Sequence, residues 1–313
     1  MNAGGEAEGG TGRAAPGREH PRALPFAAMG QGRRAGGRAG GRRLASPGGG
    51  PLPGGPLPAA LDGDFGRWLE TCLARYVPPL SPRELRSGAR ALSALYVEGR
   101  GAGPVAGRAT DGLGKRAAFA AYYAPLHFLA VHHGIAALPG MDGVRRVLDL
   151  GCGTGAAGAA AARALPGTPR VLALDRSGWA LAEARHTLAA FALRGQVRRG
   201  RLPAALPRAG PGDLLLLGWV VNELAADERS ALRAGLETAL DRGARLLLFE
   251  PLAGRVVPWW AEWSAALASR GVRDRELRVR PALPPFLAEM DRATGLRHGE
   301  LGARLLSGPH PSS

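Results

Sequence analysis

Three glycines crowd the segment Val147-Leu148-Asp149-Leu150-Gly151-Cys152-Gly153-Thr154-Gly155, where a short apolar run meets an alanine-rich stretch. Glycine at such a junction lets the backbone turn sharply and approach a ligand that a Cβ would hold away. Gly151, Gly153 and Ala156 fit the spacing G-x-G-x-x-A, and Gly153, Gly155 and Gly158 fit G-x-G-x-x-G, so glycine spacing alone admits a dinucleotide. Asp175, followed by Arg176, closes the next apolar run about twenty residues after the loop, a position suited to ribose hydroxyls. Downstream, Gly218-Trp219-Val220-Val221-Asn222-Glu223-Leu224 follows another apolar run. There Asn222 is suited to orient an acceptor amine or hydroxyl, and Glu223 to act as a base or bind a cationic substrate. Both equally suit a helix start, as cap and first-turn acid.

Asp149 separates the two cofactor readings. Its carboxylate sits at the strand tip, where a pyrophosphate drawn to the helix N-terminus would be repelled. The amino-acid portion of S-adenosylmethionine instead brings an ammonium and a sulfonium, which an acid favours. Asp175 serves both cofactors and does not discriminate. The competing readings of these acids are a helix cap and a tight turn without ligand.

These residues need a parallel sheet with crossover helices to position them. Residues 147–150, 171–175, 196–200, 213–220 and 245–250 read as five strands, with 304–306 as a late edge strand. Helical composition lies between them at 156–165, 178–193 and 227–242, the last ended by Gly243. Ahead of the sheet, Phe65, Trp68, Leu69, Cys72, Leu73 and Tyr76 have amphipathic helix spacing, which Pro78 and Pro79 stop. Ser81, Pro82 and Glu84 announce a second helix through a capping box. Residues 116–138 form a third, with a kink or restart expected at Pro125. Tyr122, Tyr123, His127, His132 and His133 on it are read as packing rather than acid–base groups, and Trp259, Trp260 and Trp263 as core rather than a stacking platform. Glu250-Pro251 either edges the pocket or simply ends its strand. The expected organisation is a disordered Gly/Pro/Arg-rich tail over 1–58, a helical cap region over 59–140 and a Rossmann-like domain over 141–307.

The chain has 41 Lys and Arg against 26 Asp and Glu, a formal net charge of +15. Clustered cations favour phosphate, but nearly all are arginine in a chain crowded with Ala, Gly and Pro, so GC-rich coding explains part of the excess. Arg33, Arg34, Arg38, Arg42 and Arg43 of the tail suit an RNA-touching arm or a nonspecific tail, and Met29 offers an alternative start. Two cysteines far apart, Cys72 and Cys152, suggest neither a disulfide framework nor a metal site, and fit a reducing cytoplasm. No secretory signal and no membrane span is read, and the sequence lacks the cysteine route and the Asn-Pro-Pro-Tyr string of base methylation.

V-L-D-L-G-C-G-T-G followed by L-A-L-D resembles the first two motifs of class I S-adenosylmethionine-dependent methyltransferases over roughly residues 145–252. The resemblance implies a seven-stranded Rossmann-like sheet with helices on both faces. It implies S-adenosyl-L-methionine as cofactor, with Asp149, Gly151, Cys152, Gly153, Thr154 and Gly155 at its methionine end and Asp175 with Arg176 at the ribose. It implies methyl transfer to an acceptor the sequence does not name. The acid many members carry after the third strand is absent; that region reads Arg199-Gly200-Arg201-Leu202. This leaves open a second reading, a catalytically idle cofactor-binding factor. V-V-N-E-L, L-L-F-E-P and the tyrosine segment at 120–125 also look like ribosomal small-subunit-associated methyltransferase-like proteins, which implies RNA or the ribosomal small subunit as a partner.

Overall fold

In a computed structural model, which describes residues 42–44, 52–98 and 110–309, the apolar runs become strands buried on both faces, as parallel sheets require. The strands are β1 (Arg42–Leu44), β2 (Leu52–Gly55), β3 (Arg146–Leu150), β4 (Arg170–Asp175), β5 (Gly195–Arg199), β6 (Asp213–Gly218), β7 (Arg245–Glu250), β8 (Arg273–Pro281) and β9 (Leu301–Gly308). The helices are α1 (Ala59–Ala74), α2 (Pro82–Glu98), α3 (Leu113–Ala118), α4 (Ala124–Ala136), α5 (Ala156–Ala164), α6 (Gly178–Ala190), α7 (Ala226–Asp241), α8 (Trp260–Ala268) and α9 (Pro285–Thr294).

The sheet runs β1-β8-β9-β7-β6-β3-β4-β5, with β2 also on β8. Strands β3 to β7 are mutually parallel, and β9 is antiparallel to both β7 and β8. Strand order therefore reverses at β3, with β4 on one side and β6 on the other, and the crevice at such a switch point is where α/β sheets bind ligands. Side chains alternate between two cores. Val147, Leu214, Leu216, Leu247 and Phe249 join the core under α1, α4, α5 and α6. Leu148, Leu150, Leu215, Leu217, Leu246 and Leu248 join the one under α7 and α8.

Three strand expectations need correction. The late strand at 304–306 is not an edge: β9 lies between β7 and β8. Its partner β8 escaped notice because Arg-Asp-Arg-Glu-Leu-Arg-Val-Arg-Pro carries few apolar residues, with Leu277 and Val279 alone facing the core from its centre. The strand expected over 213–220 stops at Gly218, because Trp219 turns into left-handed backbone with φ of 57°. Within the segment read as a tail, Arg42–Leu44 and Leu52–Gly55 lie parallel along β8, whose edge offers them unpaired backbone groups, and Leu57 is buried in the core; residues 1–41 and 45–51 fall outside the described residues.

The N-terminal helices pack into the same core as the sheet. Trp68 is 1% exposed, its ring meets Phe65, Phe128 and Phe191, and its Nε1–H donates to Thr187 Oγ1 at 3.2 Å. The Ser81–Glu84 capping box forms: Ser81 N donates to Glu84 Oε2 at 2.8 Å and Glu84 N to Ser81 Oγ at 3.3 Å. Between α3 and α4 the helix widens into a π turn, Phe119–Tyr123. Pro125 follows directly and has no N–H to offer the preceding turn. The Tyr122 hydroxyl donates to Asp291, whose carboxylate also accepts His298 N at 2.5 Å and lies 2.7 Å from His298 Nδ1. This buried network ties the π turn to α9 and the start of β9. Among the described residues no helix is long and apolar enough to cross a membrane.

Replacing Trp68 by alanine empties the centre of that ring cluster and orphans the Thr187 contact. The expected cost is about 3–5 kcal/mol, read as a lower urea midpoint with unchanged slope; a loss under about 1 kcal/mol would contradict this packing.

Candidate functional site

The loop after β3 is built on left-handed backbone, with φ of 72° at Gly151, 52° at Gly153 and 76° at Gly155. At Gly151 the requirement is also steric, since a Cβ there would come within 2.3 Å of Val220 Cγ2. Gly151 N and Cys152 N donate to Leu174 O at 2.8 and 2.9 Å, pinning the loop to β4. Asp175, at the end of β4, completes the clamp: Oδ2 accepts Gly153 N at 3.0 Å and Oδ1 accepts Ser177 N at 2.8 Å. Ser177 Oγ in turn caps α6 by accepting Ala180 N.

A cavity opens over this loop. It is lined by Asp149, Gly151, Cys152, Gly153 and Thr154 from the loop, by Asp175 and Arg176 from β4, and by Gly200, Arg201 and Leu202 after β5. Gly218, Trp219, Val220 and Glu223 close it after β6, and Phe119, His127 and Trp179 from above. The sequence-derived cofactor residues thus converge on one cavity, apart from Gly155. Gly155 begins α5 and packs against Ala184, whose Cα would lie 3.0 Å from an added Cβ. The two residues after β6 part company. Glu223 faces the cavity, whereas Asn222 is absent from its wall and donates its backbone N–H to Glu250 Oε1 at 3.1 Å. Neither caps α7; they form a short 3-10 turn, Val221–Glu223, ahead of it.

Burial dominates the electrostatics. Asp149 is 1% exposed with one backbone hydrogen bond, from Gly158 N at 3.0 Å to Oδ2. Desolvation pushes its carboxyl up to about 7, and Asp175 nearby adds to the rise. Asp175 is raised in the same sense, again by burial, although its backbone hydrogen bonds oppose this. Glu223, half-buried in the cavity wall, is pushed up to about 7 by burial. Glu250, at the end of β7 beneath the 3-10 turn, is fully buried and pushed up to about 8; its Oε2 has no hydrogen-bond partner. It does not reach the cavity wall, so of the two readings for Glu250-Pro251 the carboxyl holds the turn from below. Burial holds the Cys152 thiol well above its usual value and His127 down at about 3, so both are neutral.

Residues without a warning in the sequence complete the wall. Glu228 Oε1 receives Arg201 Nε at 3.1 Å and NH2 at 2.6 Å, and Glu228 Oε2 accepts Ala225 N at 3.1 Å. An acid absent from the segment after β5 is thus delivered opposite it, from the first turn of α7. Trp219 is the other surprise, a non-glycine residue in left-handed backbone, stacked on His127 at 4.1 Å between centroids. His127, read from sequence as packing, is part of the wall, whereas His132 stacks on Phe128 in the core. Trp259, Trp260 and Trp263 pack into the core under α8 and do not meet the cavity.

Residues 147–243 match the family model described as a methyltransferase domain. No curated protein sequence matches the chain. Among solved structures, the mitomycin 7-O-methyltransferase aligns at 19% identity over 70% of this chain and 66% of its own, with a TM-score of 0.44. An S-adenosylmethionine-dependent methyltransferase from Clostridium acetobutylicum aligns at 18% over 41% of this chain and 50% of its own, TM-score 0.32. A ribosomal protein L11 methylase from Lactobacillus delbrueckii subsp. bulgaricus aligns at 16% over 59% and 77%, TM-score 0.37. The chain thus spans under two thirds of the length of the first two.

The raised carboxyls make stability depend on pH. A folded-state pKa above the unfolded one gives stability that is full below the unfolded value, near 4.5, and lost as pH rises through about 8 for Glu250. Glu250→Gln keeps an acceptor for Asn222 N and cannot ionise. It should match the parent at pH 4.5 and exceed it at pH 9 by roughly 4 kcal/mol in chemical denaturation; parallel stability curves would contradict the assignment.

Proposed function

We propose that this chain, whose residues 147–243 match a methyltransferase-domain model, is an S-adenosylmethionine-dependent methyltransferase in which Glu223 takes the acceptor's proton. The observation that carries the reading is the pairing of Asp149 and Asp175 in one wall with the glycine loop, both carboxyls pushed towards their neutral forms by burial. A cation bound there favours the ionised form of Asp149 and offsets its burial, which a pyrophosphate cannot do.

The chemistry of the donors fits this cofactor residue by residue. The Gly151–Thr154 backbone, with room over Gly153 that a larger side chain would fill, suits the methionine portion, and Asp149 suits the charge of its ammonium. Asp175 and Arg176 suit the ribose. Glu228, beside Gly200–Leu202, offers a carboxylate to an exocyclic amine where the usual acid is missing. When bound, S-adenosylmethionine supplies an electrophilic methyl carbon: the carbon–sulfur bond breaks with its electron pair left on sulfur as an acceptor lone pair forms the new bond. Glu223 has an affinity for protons matched to neutral pH, which is what a general base requires. Glu250 clamps the N–H groups of the turn that presents Glu223. Trp219 and His127 exclude water from that end of the cavity.

The test is transfer of labelled methyl from S-adenosylmethionine into a fractionated cell extract, with nuclease and protease treatment to classify the product. A labelled product is expected, with a rate that rises with pH through about 7. Glu223→Gln should lower it about a hundredfold while S-adenosylhomocysteine still binds. Binding of S-adenosylhomocysteine with no labelled product in any fraction would favour an idle cofactor-binding factor instead.

A further inference from the structure

The cavity has an aromatic wall that cofactor binding does not account for. Trp179 on α6 meets Phe119 of the π turn edge-on at 6.1 Å between centroids. Phe119 meets His127 of α4 edge-on at 6.2 Å. His127 stacks on Trp219 at 4.1 Å and 13°, and Trp219 lies 5.7 Å from Phe249 of β7 at 27°. Four segments distant in sequence contribute the five rings, Phe119 and His127 both coming from the π turn and α4 that continues it, and all but Phe249 line the cavity. Trp219, a buried residue that also lines the cavity, has left-handed backbone, which costs about 1–3 kcal/mol for a non-glycine residue. That conformation is held by the Trp219 N–H bond to Phe249 O at 2.9 Å and by the stack beneath it. Trp219 and Glu223 line the same cavity. His127 is neutral, and at the Trp179 end of the wall the Arg116 guanidinium lies 5.8 Å from the ring centroid.

We propose that this wall receives the methyl acceptor, and that the acceptor is a planar aromatic ring bearing an ionisable O–H or N–H. Offset stacking and edge contacts reward a flat π surface by about 0.5–1.5 kcal/mol per contact beyond the area buried. Glu223 stands at the end of the wall to take the acidic proton. The inference rests on the methyltransferase reading and extends it to the acceptor. The ring can belong to a free small molecule or to a base of a nucleic acid.

The experiment is calorimetric titration of protein saturated with S-adenosylhomocysteine, using 2-naphthol and its saturated counterpart decahydro-2-naphthol, and a single-stranded RNA oligonucleotide in a third arm. The flat probe should bind at least about tenfold tighter than the saturated one, and Trp219→Leu should erase that preference while S-adenosylhomocysteine affinity shifts less than about twofold. Phe119→Leu, on the π turn rather than the strand end, should reduce the preference in the same direction and stands in if Trp219→Leu unfolds. Tight oligonucleotide binding that Trp219→Leu weakens identifies a nucleobase as the source of the ring, and 2-naphthol binding without it identifies a free aromatic. Equal binding of the two naphthols, or a preference untouched by both variants, overturns the inference. S-adenosylhomocysteine binding without any aromatic preference sinks it alone; failure of S-adenosylhomocysteine to bind sinks the methyltransferase reading with it.

Discussion

Taking a carboxyl group out of water costs several kcal/mol unless hydrogen bonds or a cation offset it, and this chain holds four of them around the carboxyl end of one sheet. Elsewhere it offsets such groups fully. Glu183 is met by Arg75 at 2.7 Å and by the Tyr76 hydroxyl at 2.9 Å, and Asp291 by His298 and Tyr122. Asp149, Asp175, Glu223 and Glu250 receive backbone N–H groups at most, and all four are raised by burial. The protein therefore stores unfavourable electrostatics where the glycine loop opens and relieves it elsewhere, a distribution typical of functional sites.

The rest of the architecture follows from keeping those groups in place. Gly158 must lack a side chain, because a Cβ there would sit 2.6 Å from Asp149 Oδ2, and that absence lets α5 close over β3. Asp175 spends both oxygens on the backbone of the loop and of the following turn, so one residue fixes the glycine loop and the start of α6 together. Glu250 holds the turn after β6 through one oxygen, Oε1, which accepts Asn222 N. The helices α1 to α4, set into the same core by Trp68, Phe65 and Phe128, hold Phe119 of the π turn and His127 in the cavity wall.

How far the sequence disclosed this depends on whether a feature is local. The glycine loop, Asp149, Asp175 and the capping box at Ser81 are written in neighbouring residues; the structure sets the loop and the two acids on one cavity and forms the capping box. The leucine runs of β6 and β7 are legible because strands buried on both faces need unbroken apolar stretches. Strand β8 is not, since its charged positions outnumber its apolar ones, and the placement of β9 between β7 and β8 is a pairing of distant segments that no local pattern encodes. Trp219 was invisible for a different reason: left-handed backbone is announced by glycine, and here packing imposes it on an indole. Glu228 shows that an acid expected at one strand end can come from a helix across the cavity.

The central claim is that the cavity's buried carboxyls are poised for a cationic ligand. If so, a cation must lower their proton affinity as it binds. Calorimetric titration of S-adenosylmethionine at pH 7, in buffers of differing ionisation enthalpy, measures that directly. The account predicts net proton release on binding, of the order of one proton, shrinking towards zero at pH 9 where Asp149 and Glu223 are already ionised. Proton uptake, or a binding enthalpy independent of buffer at pH 7, would contradict it.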